Sequence, residues 1–153
     1  MKKQGWEIKN RALYELALTH TSFAHEKGRP HDHNERLEFL GDAVLELIIS
    51  SYLYDSYPGL LEGKLTKLRS DLVCETSLAA ISGAIQLGEL LRLGRGELAA
   101  GGSRRPSLLA DALEAVIGAI YLDLGLETCR RHVLELYEPL LADLQEGLLR
   151  KDY

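Results

Sequence analysis

The chain has 153 residues, a length typical of a single domain and sufficient to bury a hydrophobic core. Hydrophobic residues make up 46% of it and favour Leu and Ala over β-branched residues, which predicts helices rather than sheets. The net charge of −5 counts against a nucleic-acid-binding protein, because such proteins are usually basic. The objection weakens if several of the 23 acidic residues hold divalent cations, since each cation returns two positive charges.

The N-terminus and the cysteines bear on location. MKKQGWEIKN lacks the apolar region of a signal peptide, and no apolar run reaches membrane-spanning length without a charge. Cys74 and Cys129 have no disulfide-framework spacing, so both thiols are expected to be free in a reducing compartment. We therefore expect a cytoplasmic protein without a membrane segment.

The first predicted elements are a helix and a polar loop. Apolar residues at helical spacing predict a helix over 7–18, which the hydroxyl-rich THTS at 19–22 ends. His20 is interpreted as a capping or core histidine. The segment AHEKGRPHDH at 24–33 is interpreted as a loop, because its histidines match no standard zinc spacing. These histidines are His25, His31 and His33.

The stretch HNERLEFLGDAVLELI at 33–48 predicts an amphipathic helix. Asn34 is a suitable N-cap, and the helix is expected to continue to about Tyr57, where Pro58 and Gly59 end it. Its apolar side is formed by Leu37, Leu40, Val44, Leu47 and Ile48.

Two groups of acids stand out. Glu35, Glu38 and Asp42 lie within roughly 60° on one face of the first helix. Asp111 and Glu114 form a second pair inside the otherwise apolar SLLADALEAVIGAIYLD, where unpaired acids are costly. Neither segment supplies matching buried bases, so a divalent cation bound between the two helices would offset the cost. Spacing alone also fits an acid-rich, solvated helix surface.

Further helices are predicted over 60–73 and 75–86, without any convincing strand or repeat. A Gly-rich loop follows at 93–106 and carries arginines suited to phosphate contact, although it matches no P-loop. The second acidic helix begins at Pro106 and ends at Gly125.

The last predicted helix covers residues 127–149. Pro139 lies in its interior, where proline removes a hydrogen bond and clashes with the preceding turn. We therefore expect this helix to be bent or broken at Pro139.

Several segments together resemble the ribonuclease III endonuclease domain. NERLEFLGD at 34–42 is similar to the family's signature, ALTHTSF at 17–23 to its first-helix motif, and LLADALEAVIGAIYLD at 108–123 to its second acidic helix. EGKLTKLRSDLV at 62–73 and LRLGRGE at 91–97 resemble its middle segments. Their order and approximate spacing agree over essentially the whole chain.

The resemblance implies an all-α fold, a twofold homodimer and a Mg²⁺-dependent endoribonuclease that cuts double-stranded RNA. The implied products carry 5′-phosphate and 3′-hydroxyl ends, and the implied role is processing of ribosomal and messenger RNA precursors. Residues 1–147 correspond to the catalytic domain and 148–153 to the start of a linker. Bacterial members usually continue into a double-stranded-RNA-binding domain, which we expect to be absent or truncated here.

The resemblance also assigns a site. Asp42 and Glu114 are expected to be catalytic, within a set of four acids that holds two Mg²⁺ ions, with Mn²⁺ able to substitute. Such a set suits Mg²⁺, which prefers oxygen ligands and keeps several waters. We expect Glu38 and Glu114 to lie closest to both ions. The four acids are Glu38, Asp42, Asp111 and Glu114.

Other residues are assigned to RNA or to the partner subunit. Glu35 and Glu62 match acids near the RNA valley, and Phe39 matches an aromatic residue that plugs a pocket on the partner. Arg104 and Arg105 are interpreted as phosphate contacts, with solvated loop arginines as the alternative.

Two other functions fit parts of the pattern. A non-catalytic RNA-binding relative would be expected to lose some of the four acids, and here all four are present. All-helical Mg²⁺-dependent nucleotide pyrophosphohydrolases also use ExxE-type pairs on helices. Cleavage of duplex RNA compared with nucleoside triphosphates separates these alternatives.

Overall fold

A computed structural model describes residues 7–150, which form eight α-helices and no β-sheet. The all-α prediction is therefore confirmed. Short 3₁₀ turns lie at Leu87–Leu90 and Gly102–Arg104. The helices are α1 (Arg11–Ala17), α2 (Thr21–Glu26), α3 (Glu35–Ser56), α4 (Glu62–Val73), α5 (Glu75–Ala84), α6 (Arg95–Ala99), α7 (Pro106–Leu124) and α8 (Leu126–Arg150).

Helix α7 forms the centre of the fold. Every residue from Ala112 to Ile120 is buried, because α7 is apolar on nearly all sides and other helices surround it. It packs most extensively on α3 and also contacts α1, α5 and α8. The two helices that carry the acidic groups are therefore the main packing pair.

Two glycines bring the backbones of α3 and α7 into contact. A Cβ at Gly41 would collide with the carbonyl oxygen of Glu114, and a Cβ at Gly118 would lie 2.5 Å from the carbonyl oxygen of Leu37. Since any side chain at these positions would separate the helices, both glycines are required by the close approach. The crossing lies within one or two turns of all four predicted metal ligands.

Asn34 occupies the predicted N-cap position of α3 but plays a different role. Its side chain makes no capping hydrogen bond; instead its amide Nδ2 donates to the carbonyl of Ala17 at 3.1 Å. Its backbone N–H donates to the carbonyl of Thr19 at 2.9 Å. Asn34 is buried, so these bonds join the end of α1 to the start of α3.

Several local predictions were wrong. The first helix begins at Arg11 rather than residue 7, and the presumed loop at 24–33 begins inside α2. The Gly-rich segment 93–106 contains α6 and a 3₁₀ turn. Helix α8 is not broken at Pro139, so of the two expected effects of this proline the break was wrong. Leu47, expected in the core, is 52% exposed.

The C-terminal boundary remains a prediction. Helix α8 runs to Arg150, so residues 148–150 are helical, whereas 151–153 of the expected linker lie outside the described residues. Within residues 7–150, no helix combines the length and the apolar character that crossing a bilayer requires.

Candidate metal centre

Three of the predicted ligands meet where α3 crosses α7. Glu38, Asp111 and Glu114 each offer a carboxylate oxygen, and these atoms all lie within 4.8 Å of one another. Two sequence segments more than 70 residues apart therefore converge on one cluster. The Gly41–Gly118 contact causes this convergence, because it places the first turns of α3 directly against the first half of α7.

Glu114 is the most buried member, with 9% of its surface exposed. Burial raises its pKa to about 9, and a hydrogen bond with Asp42 and the charge of Asp42 add to the shift. A buried carboxyl group whose nearest polar partner is another acid is stable mainly in its protonated form. Its environment lacks the positive charge that would stabilise the carboxylate.

Glu38 and Asp111 form a second acid–acid contact in the same cluster. Burial raises the pKa of Glu38 to about 7, and the charge of Asp111 and a hydrogen bond to it contribute further. Burial also raises the pKa of Asp111, although the hydrogen bond with Glu38 opposes that shift. The two groups therefore share a proton more readily than they bear two negative charges.

A divalent cation fits this environment. Among the residues from 7 to 150, no Lys or Arg forms an ion pair with the clustered acids. The cluster offers carboxylate oxygens without histidine or cysteine, which is the ligand chemistry of hard cations such as Mg²⁺. A bound cation would supply the missing positive charge and let the buried carboxyl groups ionise.

Tyr137 supports the cluster from α8. Its side chain is fully buried, and its hydroxyl donates to the carbonyl of Leu72 at 2.8 Å. Burial raises the pKa of Tyr137, and the neighbouring charge of Glu114 adds to the increase. This tyrosine therefore joins the end of α4 to the region beside Glu114.

The other predicted acids lie at different distances from the cluster. Asp42 is exposed and hydrogen-bonded to Glu114, so it borders the three clustered acids. The charge of Glu35 contributes to the raised pKa of both Glu38 and Asp111, so it lies near them. Glu62 is exposed at the start of α4 and accepts a hydrogen bond from the Thr66 hydroxyl at 3.2 Å.

The two predicted RNA-contacting arginines differ. The Arg105 guanidinium pairs with the Glu97 carboxylate at 2.6 Å. Arg104 is exposed and has no such ion pair among the described residues. Arg105 is thus held within its own loop, whereas Arg104 is available to an external anion.

Sequence reasoning missed two residues near the cluster. The charge of Glu75, on α5, raises the pKa of Asp111, and His20 lowers it. The His20 ring caps α2, since its Nδ1 accepts from the Ser22 N–H at 3.1 Å, as the capping interpretation predicted. Neither neighbour could be found from spacing, because each lies on an element remote in sequence from α7.

This fold and cluster define an all-helical domain with a candidate divalent-metal centre. The family described as Ribonuclease-III-like matches residues 10–140. The chain is 53% identical over 150 residues to Ribonuclease 3 of Desulforamulus reducens, covering 97% of this chain and 61% of that protein. It is 48% identical over 152 residues to Ribonuclease 3 of Caldanaerobacter subterraneus, covering 99% and 67%.

Solved structures agree. The nuclease domain of Ribonuclease III from Campylobacter jejuni matches with a TM-score of 0.85 and 43% identity, covering 90% of this chain and 93% of that one. Dicer from Pichia stipitis matches with a TM-score of 0.70 and 33% identity, covering 94% and 62%. The chain belongs to the ribonuclease III family, and it spans about three fifths of the length of several curated relatives it matches.

Proposed function

We propose that this chain is a Mg²⁺-dependent endoribonuclease that hydrolyses phosphodiester bonds in double-stranded RNA, leaving 5′-phosphate and 3′-hydroxyl ends. The observation that carries the proposal is the carboxylate cluster of Glu38, Asp111 and Glu114, with ligand atoms within 4.8 Å. It occurs in a chain about half identical to proteins named Ribonuclease 3. Processing of ribosomal and messenger RNA precursors is the corresponding cellular role.

Four carboxylates would hold the cations, two per site. A divalent cation at this position supplies charge stabilisation at the phosphate and a more acidic water as nucleophile. Mg²⁺ is favoured because the donors are all carboxylates, and Mn²⁺ is expected to substitute. The proposed ligands are Glu38, Asp42, Asp111 and Glu114.

Burial determines what each acid contributes. Glu114 is 9% exposed and is held where α3 crosses α7. Its carboxylate would therefore determine the position of a bound cation. Asp42 is exposed beside it and faces the solvent side from which an RNA phosphate would approach. Without bound cations the acids repel an RNA phosphate at the site, so bound cations favour its approach to the scissile position.

The test is the Glu114→Gln variant, which preserves shape and removes the charge. We expect cleavage of duplex RNA in Mg²⁺ to fall about 1,000-fold or more, equivalent to about 4 kcal/mol of transition-state stabilisation. Duplex RNA binding, measured by gel shift in Ca²⁺, should persist. Glu127→Gln, at an exposed acid in the first turn of α8, is the control and should cleave like the parent.

Two outcomes would contradict the proposal. If Glu114→Gln cleaved duplex RNA at the parental rate, the cluster would have no role in catalysis. If cleavage of duplex RNA persisted in EDTA, the reaction would not require a divalent cation. A parallel incubation with nucleoside triphosphates tests the pyrophosphohydrolase alternative, and we expect no turnover there.

We also propose a twofold homodimer, because a duplex has two strands and each subunit supplies one site. Phe39 is 82% exposed, and Leu47 and Tyr54 on the same face of α3 are 52% and 73% exposed. Such an apolar helix face is costly in water and suits an interface. The Campylobacter jejuni nuclease domain is described as having a region involved in dimer formation, which supports the proposal.

Phe39→Ala tests the dimer. Because truncating an exposed aromatic anchor removes interface contacts without disturbing the core, we expect at least a tenfold weaker dimer, about 1.4 kcal/mol. Analytical ultracentrifugation over a concentration series measures it, with circular dichroism to check the fold. An unchanged dimer would refute the role of Phe39.

Outside the cluster, we infer RNA contacts from charged side chains that are exposed. Arg104 is the preferred phosphate contact, since Arg105 is already paired with Glu97. Glu35 and Glu62 are proposed to border the RNA. We place the protein in the cytoplasm, in keeping with the free thiols of Cys74 and Cys129.

A further inference from the structure

A third helix, α5, approaches the metal centre. The Ser82 hydroxyl donates to the carbonyl of Leu109 at 2.7 Å, and a Cβ on Gly88 would collide with the carbonyl oxygen of Ser103. Gly88 lies in the 3₁₀ turn after α5, and Ser103 lies in the 3₁₀ turn before α7. Between the two contacts the first segment advances by six residues and the second goes back by six, so the segments run in opposite directions. Helix α5 is therefore antiparallel to α7, and its N-terminal end lies toward the middle of α7, where Glu114 is located.

Glu75 is on the side of α5 that faces α7. Glu75, Leu78 and Ser82 are spaced i, i+3, i+7 and therefore share one helix face. Leu78 is 3% exposed, and Ser82 is fully buried against α7. Glu75 continues this face at the first turn and is exposed, and it lies near enough to Asp111 for its charge to act on that carboxyl group.

The start of α5 is held in place. The Tyr137 hydroxyl donates to the carbonyl of Leu72, just before the α4–α5 junction, at 2.8 Å. The Ser77 hydroxyl donates to the carbonyl of Asp71 at 2.8 Å across the junction. The charges of Glu114 and of Cys74, the residue before α5, both act on Tyr137, so this buried side chain lies near both the cluster and the start of α5.

We propose that Glu75 is a positioning residue of the cation site, a fifth carboxylate that holds the cation through its hydration water. The inference rests on the proposed function, because it requires cations at the four ligands. Mg²⁺ and Mn²⁺ keep several waters when few protein ligands are bound, and an acid outside the ligand set can accept hydrogen bonds from them. Glu75 joins a third helix to a centre otherwise built on α3 and α7.

The test measures Mn²⁺ binding to the whole chain, by electron paramagnetic resonance of free Mn²⁺ and by calorimetry. We expect Glu75→Gln to weaken Mn²⁺ affinity about tenfold, as for other residues that hold a metal through its outer shell. Glu75→Asp should recover most of the affinity. The matched control is Glu127→Gln, which also removes an exposed acid from a helix's first turn, roughly 20 Å along α7 from Asp111.

A second measurement separates a role at the cation from a structural one. Glu75 and Glu127 both lie in a first helical turn, where an acid favours the helix dipole, but only Glu75 adds repulsion to the cluster. Without divalent cations, Glu75→Gln should therefore melt at or above the temperature of Glu127→Gln in EDTA. In saturating Mn²⁺ the order should reverse. A Glu75→Gln variant that melts lower than Glu127→Gln in EDTA, or binds Mn²⁺ within twofold of it, would overturn the proposal.

Glu114→Gln distinguishes this inference from the metal centre itself. If Glu114→Gln loses Mn²⁺ binding while Glu75→Gln binds like the parent, only the role of Glu75 is refuted. If Glu114→Gln also binds like the parent, the metal centre is refuted and Glu75 has no role in it.

Discussion

Two carboxylates on α7, nine residues apart, have opposite environments. Asp123 accepts hydrogen bonds from the backbone N–H groups of Lys9 and Asn10 at 3.0 and 2.9 Å, and from the Tyr14 hydroxyl at 2.8 Å. Although partial burial opposes it, these bonds lower the pKa of Asp123. The charged groups that act on Glu114 are all acids, and burial together with these acids raises its pKa to about 9.

The difference separates an acid that is satisfied by the protein's own donors from one for which we propose a cation-binding role. At Asp123 the protein provides its own donors, so the carboxylate fastens the N-terminal segment to the end of α7. At Glu114 the chain provides burial without positive charge, which is unfavourable unless a cation from solution completes the site. The same helix therefore has one end, at Asp123, that the protein satisfies by itself, and one region, at Glu114, that a bound cation would stabilise. We call them the self-sufficient end and the Glu114 end.

Gly41→Ala should break the Glu114 end and have the largest effect. Because the added methyl group collides with the backbone of α7, we expect a loss of about 3 kcal/mol or more in unfolding free energy and loss of cleavage. Urea denaturation measures it. Gly83→Ala is the control: Gly83 lies inside α5, and a Cβ there meets nothing within 4 Å, so we expect unchanged or slightly higher stability.

In EDTA, the pH dependence of stability should differ between the Glu114 end and the Asp123 end of α7. Glu114 and Glu38 have native pKa values of about 9 and 7, above their ordinary value of 4.5, so the stability they contribute is lost as pH rises from 5 to 9. One pKa unit corresponds to about 1.4 kcal/mol. Solvent reaches Glu38 and Asp42 and screens much of the repulsion, so we expect only part of the summed shifts to appear, a loss of at least about 3 kcal/mol. Asp123, with a lowered pKa, contributes stability that is lost only as pH falls below about 4.

Thermal denaturation at each pH measures this effect. Mg²⁺ should restore the melting temperature at pH 8 to 9, because it stabilises the ionised cluster. Glu114→Gln should flatten the dependence in EDTA. A parental melting temperature that rose between pH 5 and 9 in EDTA would contradict the assigned direction.

Asp123→Asn should weaken the self-sufficient end, with a smaller effect. An amide has one acceptor oxygen and an NH₂ group that cannot accept, so at least one of the three hydrogen bonds is lost, and we expect a loss of about 1–2 kcal/mol in unfolding free energy. Denaturation with urea measures this, and RNA cleavage below the melting temperature should remain parental. Loss of Mg²⁺ affinity in this variant would show that the two ends of α7 are coupled.

Much of the fold could be predicted locally. The span of α3, ended before Pro58, and that of α7, from Pro106 to Gly125, match the expected bounds. These elements have strong periodicity and clear start and stop residues. The errors lie in short elements such as α2 and α6, and at Pro139, where tertiary packing rather than local preference decides the backbone conformation.

The sequence predicted only some of the exposed apolar residues of α3. Phe39 was singled out through the family resemblance, whereas Leu47 was assigned to the core because its apolar character fits either role. Hydrophobicity alone cannot distinguish a residue that packs in the core from one that lies in a subunit interface.

The sequence by itself determined that this protein is all-helical, that it belongs to the ribonuclease III family, and that two of its helices carry acids in a pattern suited to cations. Residue order and side-chain chemistry are sufficient for those conclusions. Only the tertiary structure decided that Glu38, Asp111 and Glu114 converge and that Glu75 approaches them from a third helix. The physical reason is that convergence depends on backbone contact at Gly41 and Gly118 and on the antiparallel packing of α5, interactions between segments that local sequence patterns do not relate.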